Sequence, residues 1–194
     1  MLHMPERIES DRIVLVRPYP PTPELANEVF QKIDLSRKTL SEWLGWVDAT
    51  QKPEDVWLVN GSHENWEKGC GYAYLIRDKK TNAVLGAIDL MKCNEKHKSA
   101  ELGTWLSSDA VGHGYAAEAL RALEKTAFEQ GFNRLVICNE TQNIRSVNVP
   151  KRCGYHLEGT LRSCRWNEKR QAFCDVYIWS KLKTEWEAEQ AKHL

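Results

Sequence analysis

Between Gly114 and Gly131 the apolar residues Ala116, Leu120, Leu123 and Ala127 recur at helical spacing, which predicts one amphipathic helix over 115–130. A helix with a single apolar stripe must bury it against a second layer. Upstream the period changes: 72–77, 84–91 and 99–107 read as three consecutive strands, joined by polar turns at 78–82 and 94–98. Downstream, 134–138 reads as a short buried strand, 146–152 as a short helix containing Pro150, and 156–166 and 171–180 as two antiparallel strands. A terminal helix is expected over 182–192.

The N-terminal third is helical after one strand. Ile13 to Val16 is a short apolar run that ends in a proline-rich loop. Thr22 followed by Pro23 predicts a helix start, continued by Leu25, Val29 and Ile33. A second helix is expected with Leu40, Trp43 and Leu44 on one face and Gly45 as its stop, and a third opening at Pro53 with Val56, Val59, His63 and Trp66. The 194 residues contain no repeat or linker, so residues 1–194 are read as one domain of α+β (mixed α/β) class.

Lys plus Arg and Asp plus Glu are both 27, so the chain lacks the surplus of positive charge on which general DNA or RNA binding leans. No apolar run is long enough for a membrane span, and the charged start does not resemble a signal peptide. Six cysteines without a Cys-x-x-Cys predict free thiols, no metal site and a cytoplasmic protein.

The chemistry is expected where the third strand of the meander, ending at Trp105 and Leu106, runs through Gly112-His113-Gly114-Tyr115-Ala116 into the long helix. Glycines 112 and 114 permit a tight turn and a close backbone approach, and the helix start presents unpaired N–H groups to an anion. An ordinary strand-to-helix turn uses glycine too. The Walker pattern is excluded by Gly114-Tyr115-Ala116, and the dinucleotide fingerprint by Ala117 at the third glycine's place.

Taken with Glu101 to Leu106, Gly112 to Leu120, Asn143-Ile144-Arg145-Ser146 and Arg152-Cys153-Gly154-Tyr155, this loop resembles the GNAT superfamily of N-acyltransferases. The match is closest to the RimJ/RimL-type ribosomal-protein N-terminal acetyltransferases; the opening Ile8 to Leu15 and the ending Asp175 to Trp179 also resemble that group. The resemblance spans roughly residues 8 to 188 and implies a mixed, mostly antiparallel sheet of about seven strands. It implies acetyl-CoA as acyl donor, contacted by Trp105, Leu106, Gly112, His113, Gly114, Tyr115, Ala116, Asn139 and Asn143. Two positions depart from the family: Asp109 stands where a glutamine or arginine often flanks the phosphates, and Pro150 stands where many members carry a tyrosine.

The implied reaction is direct attack of an amine on the thioester, which needs a base, an oxyanion donor and a proton for the thiolate. Glu101 is the candidate base, or a strand carboxylate in an ion pair; Ser146 is the candidate donor to sulfur, or a helix hydroxyl bonded to backbone. By resemblance alone, Leu106 offers a backbone N–H to the thioester oxygen. Asn139 and Asn143 either contact the pantetheine arm or cap the short helix. Trp43 and Trp46, read as i, i+3 neighbours, form an aromatic wall beside the acceptor or pack their helix on the sheet. His113 reads as more suited to facing solvent than to catalysis. Freeing an α-amine at pH 7 costs about 1.4 kcal/mol and freeing a lysine about 4.6, which favours a protein or peptide N-terminus as acceptor. A small amine such as an aminoglycoside or polyamine, or a silent acyl-CoA-binding module, are the alternatives, and a homodimer is left open.

Overall fold

In the computed structural model, which describes residues 2–59 and 63–192, the alternating runs form one sheet in the order β1-β2-β3-β4-β5-β6-β8-β7. The strands are β1 (Arg7–Glu9), β2 (Ile13–Val16), β3 (Tyr72–Asp78), β4 (Val84–Asn94), β5 (Ser99–Leu106), β6 (Arg134–Glu140), β7 (His156–Asn167) and β8 (Ala172–Leu182). There are eight rather than about seven because the chain folds back at Ser10–Arg12, pairing Arg7 with Val16 and Ile8 with Leu15. Every neighbouring pair is antiparallel except β5 and β6, which run parallel. A parallel neighbour requires a crossover connection. The expected long helix, α5 (Tyr115–Glu129), supplies it.

The helices divide between the two faces of the sheet. Ala119, Leu120, Leu123, Ala127 and Phe128 of α5 pack with Ile13, Leu15, Ile88, Leu90, Leu102 and Leu135. On the other face Val29 and Ile33 pack with Leu75, Val84, Ala87 and Trp105. Those two residues belong to α1 (Pro23–Leu40), whose start matches expectation: the Thr22 hydroxyl accepts from the Leu25 N–H at 3.2 Å. Such a cap contributes about 1 kcal/mol.

The second helix is not where the spacing placed it. Residues 36–40 continue α1, Ser41–Trp43 form a turn, and Gly45 precedes rather than ends α2 (Trp46–Ala49). The helix expected from Pro53 is a 3-10 turn at Pro53–Asp55, then α3 (Val56–Val59) and α4 (His63–Glu67). Residues 60–62 fall outside the described ones. The remaining helices, α6 (Ile144–Arg152) and α7 (Lys183–Ala191), lie as predicted to within two residues. Pro150 is accommodated because it sits in the last turn of α6, and its carbonyl still accepts from the Tyr155 N–H at 3.0 Å. All six cysteines are free, and no helix among the described residues is long and apolar enough to cross a membrane.

One buried group works against stability. Asp89 lies on β4 opposite Ala73 and Gly103, and its Oδ1 is out of solvent without a hydrogen-bond partner. Burial pushes its carboxyl up to about 7. Because the folded-state value is raised above the unfolded one, this group's own contribution to stability is most favourable at acid pH and declines as pH rises from about 4 to about 7. Asp89→Asn removes that loss. We expect it to stabilise the fold by about 2–4 kcal/mol at pH 8 and by much less near pH 4, read as the difference between thermal melts at the two pH values. An equal shift at both would show that the carboxyl ionises normally.

Candidate active site

The site begins where the parallel pair comes apart. β5 and β6 are in register over four pairs only, from Ser99–Arg134 to Leu102–Ile137. Beyond that, β5 stays with β4 as far as Leu106 opposite Gly86, and β6 stays with β8 as far as Glu140 opposite Val176. The facing edges Gly103–Leu106 and Cys138–Glu140 therefore bound a slot through the sheet. A cleft of about 190 Å³ fills it. Backbone N–H and C=O groups along such edges need partners, and an extended chain carrying amides supplies them.

Alternation along the two strands assigns the walls. Leu102 and Ile137 belong to the core under α5. Glu101, Gly103 and Cys138 therefore face the α1 side, where Trp43, Leu44, Met91 and Arg165 complete the wall. On the α5 side the wall comes from Leu120, Asn139, Asn143, Ser146, Val149 and Pro150.

On that wall Asn143 caps α6, its Oδ1 accepting from the Ser146 N–H at 3.1 Å. Asn139 Nδ2 donates to Ser146 Oγ at 2.7 Å. With one lone pair taken by Asn139, the hydroxyl proton of Ser146 is left to donate. Asn139 is 7% exposed and its Oδ1 has no partner, so one buried acceptor in the cleft is unsatisfied. Glu101 faces the slot from the opposite wall, its Oε2 held by Lys92 Nζ at 2.7 Å. Burial pushes the Cys138 thiol up from its ordinary range, keeping it protonated at neutral pH.

Beside the slot, β5 leads into the glycine loop. Gly112 and Gly114 take φ of +92° and +82°, which side chains other than hydrogen disfavour. No side chain caps α5 at Gly114, so its first N–H groups are available, together with the positive end of the helix dipole. Arg12 braces the loop: its Nη1 donates to the His113 carbonyl at 3.0 Å, its Nε to Glu118 at 2.8 Å, and its guanidinium lies 4.7 Å from the centre of the Tyr115 ring.

The residues expected to form the site are distributed unevenly. Gly112, His113, Gly114, Tyr115 and Ala116 gather at the α5 start, and Glu101, Asn139, Asn143, Ser146 and Trp43 around the slot. Leu106 ends β5 between the two groups. Trp105 does not line the slot: it is 6% exposed and packs edge-on against Trp46 at 6.0 Å in the core under α1. Trp46 is thus on the core side, and Trp43, in the turn before α2, faces the slot alone. The two tryptophans do not form one wall because Gly45 places them on different elements.

The sequence reading missed Arg12, Lys32, Glu140 and Arg165. Lys32 explains Asp109, the charge that departs from the family pattern. Its Nζ lies 2.6 Å from Asp109 Oδ2, and the Ser107 hydroxyl donates to Oδ1. Burial opposes ionisation of Asp109, but these hydrogen bonds outweigh it and hold the carboxyl below its usual range. Asp109 is therefore neutralised from α1 and serves as a brace.

A slot between splayed strands beside an uncapped helix start is the arrangement expected from the resemblance to the acyl-CoA-dependent transferases. Residues 14–156 match the acetyltransferase (GNAT) domain, and the chain belongs to that family of acetyl-CoA-dependent N-acetyltransferases. It is 28% identical over 156 residues to the ribosomal-protein-serine acetyltransferase of Escherichia coli, covering 79% of this chain and 85% of that one. Its fold superposes on RimL, the ribosomal L7/L12 α-N-protein acetyltransferase in complex with coenzyme A, with a TM-score of 0.82 and 22% identity, covering 91% and 98% of the two chains. The microcin C7 self-immunity acetyltransferase MccE, in complex with acetyl-CoA and AMP, superposes with a TM-score of 0.80 and 22% identity over 89% and 93%.

The brace has a measurable consequence. Asp109→Ala frees Lys32 and Ser107 and loosens the chain ahead of Gly112. The pair is partly exposed and contributes about 1 kcal/mol, so KM for acetyl-CoA should rise about fivefold, with kcat within twofold of wild type. Steady-state kinetics at saturating acceptor read this directly; an unchanged KM would remove the bracing role.

Proposed function

We propose that the chain acetylates the N-terminal α-amine of a protein or peptide, with Glu101 and Ser146 acting from opposite walls of the slot. The observation that carries this reading is the placement of those two groups across one gap in the sheet. The amine enters from the α1 side, past Trp43. Its nitrogen attacks the thioester carbonyl, forming the C–N bond as the C–S bond breaks. Glu101 takes the amine proton, directly or through a water. Ser146 gives its hydroxyl proton to the departing sulfur and is reprotonated from solvent. The backbone N–H of Leu106 is assigned to the thioester oxygen, and the α5 start to the pyrophosphate.

The α-amine is favoured because it titrates near 8 and is freed at neutral pH at lower cost than a lysine amine. The sequence likeness to a ribosomal-protein-serine acetyltransferase supports the same class of acceptor. The pair of roles predicts a division between binding and turnover. Ser146→Ala and Glu101→Gln should each lower kcat by about 100-fold or more. Neither should alter the stabilisation by acetyl-CoA, about 2.7 kcal/mol at 100 times its dissociation constant.

Thiol release with product mass, across Ser-, Ala- and Met-starting peptides, spermidine and an aminoglycoside, tests the acceptor. A peptide acetylated at its α-amine supports the proposal, whereas acetylation of small amines alone overturns it. Wild-type rates in both variants would remove the assigned roles.

A further inference from the structure

Three charged side chains line the cleft: Glu101, Glu140 and Arg165. Both carboxylates already have their own cation. Lys92 Nζ is 2.7 Å from Glu101, and Arg170 Nη1 is 3.4 Å from Glu140. Glu140 is 4% exposed and also accepts from Asn167 Nδ2 at 3.1 and 3.2 Å. Arg170 is in turn fixed by Gln142 at 2.9 Å and by the Trp43 ring at 4.2 Å. Arg165 is different: among the described residues it has no ion-pair or hydrogen-bond partner.

The backbone places that cation deliberately at the cleft. β7 pairs with β8 up to Leu161 opposite Val176, then again from Arg165 opposite Cys174. Three residues on β7 thus face one on β8. Ser163, in the middle, takes φ of +48° and donates its N–H to Asp175 Oδ1 at 2.8 Å. A bulge of this kind re-aims the side chain that follows it, and such bulges occur next to active sites. Arg165 stands at its end, close enough for its charge to act on both Lys92 and Cys138. Among the charges that line the cleft and their direct partners, Arg165 is therefore the cation left over.

We propose that Arg165 binds an acidic group in the first residues of the acceptor, so that this enzyme selects peptides with an acidic N-terminal segment over basic peptides and polyamines. The inference rests on the α-amine reading above and adds the class of peptide. A planar guanidinium with five donors suits a carboxylate or a phosphate, either of which it binds in a fork. A polyamine would instead bring positive charge against an uncompensated cation.

The test uses peptides that start with serine and differ only at the second residue, as aspartate, phosphoserine, alanine or lysine, with spermidine alongside. Thiol release is measured for wild type and for Arg165→Ala, Arg165→Lys and Arg165→Glu. For wild type, kcat/KM should be about tenfold higher for the acidic peptides than for the lysine peptide. Arg165→Ala should close that gap through the peptide KM, leaving the KM for acetyl-CoA unchanged. Arg165→Lys should retain part of the gap, and Arg165→Glu should invert it. The acidic peptide with the lower KM separates carboxylate from phosphate recognition. Equal wild-type values for acidic and basic peptides, or a gap that survives in Arg165→Ala, overturns the inference while leaving the α-amine reading intact. If no peptide is acetylated, the α-amine reading fails and this inference fails with it. Thermal shift by acetyl-CoA verifies that each variant is folded.

Discussion

The separation of β5 from β6 after four residue pairs is the constraint on which the site depends. Up to Leu102 and Ile137 the two strands satisfy each other's backbone groups; past them, each keeps only its outer neighbour. Antiparallel pairing with β4 and β8 anchors the strands on both sides, so the sheet opens locally without losing its continuity. The opening joins the two faces of a sheet whose faces are otherwise sealed by separate cores. It explains why Ser146 and Glu101, on different elements, confront one gap.

The electrostatics follow the same division. At the α5 start the useful charge is the backbone's own, and the neighbouring side chains are arranged so as not to cancel it. Asp109 is neutralised by Lys32, and Glu118 by Arg12. Burial opposes the charge on Glu118, but hydrogen bonds from the Arg12 backbone and side chain hold its carboxyl below the usual range. Two carboxylates close to a phosphate cradle would repel its ligand; with their cations supplied from α1 and the β1–β2 turn, they become braces. On the α1 side of the slot the cleft carboxylates Glu101 and Glu140 are again paired, and Arg165 is left without an ion-pair partner among the described residues.

Much of this could be read in the sequence where one residue's neighbours decide its role. The α5 stripe, the two glycines before it and the Asn143 cap are local patterns, and each fell where spacing placed it. The features that escaped depend on long-range or subtle geometry. Lys32 and Asp109 are 77 residues apart, and nothing in either neighbourhood announces the pair. β1 is only Arg7–Glu9 with Ile8 as its one buried residue, too short to show the alternation of a strand. Trp43 and Trp46 satisfy helical spacing, yet Gly45 opens a helix where its residue type equally suits an end, and that choice sends one ring to the slot and the other to the core. Arg165 owes its position to an irregularity in strand pairing that no periodicity reveals.

The two walls also differ in how firmly they are held. Lys181, 2% exposed on β8, donates to the Cys153 carbonyl at 2.6 Å, to Glu124 of α5 at 3.2 Å and to Glu189 of α7 at 2.8 Å. Burial pushes the Glu124 carboxyl upward despite Lys181, so the network adds little net stability. Its effect is positional: it ties β8, α5, α7 and the end of α6 together and so fixes the element carrying Ser146. The opposite wall rests on an edge strand, β7, exposed along all but its last residue, and on one arginine laid across Trp43. In the proposed roles this difference has a use: a proton donor must hold its place to within fractions of an ångström, whereas a surface that reads a peptide can adjust as the peptide arrives. The buried network thus stands behind the wall that carries Ser146, and the opposite wall stands on an exposed edge strand paired on one side only.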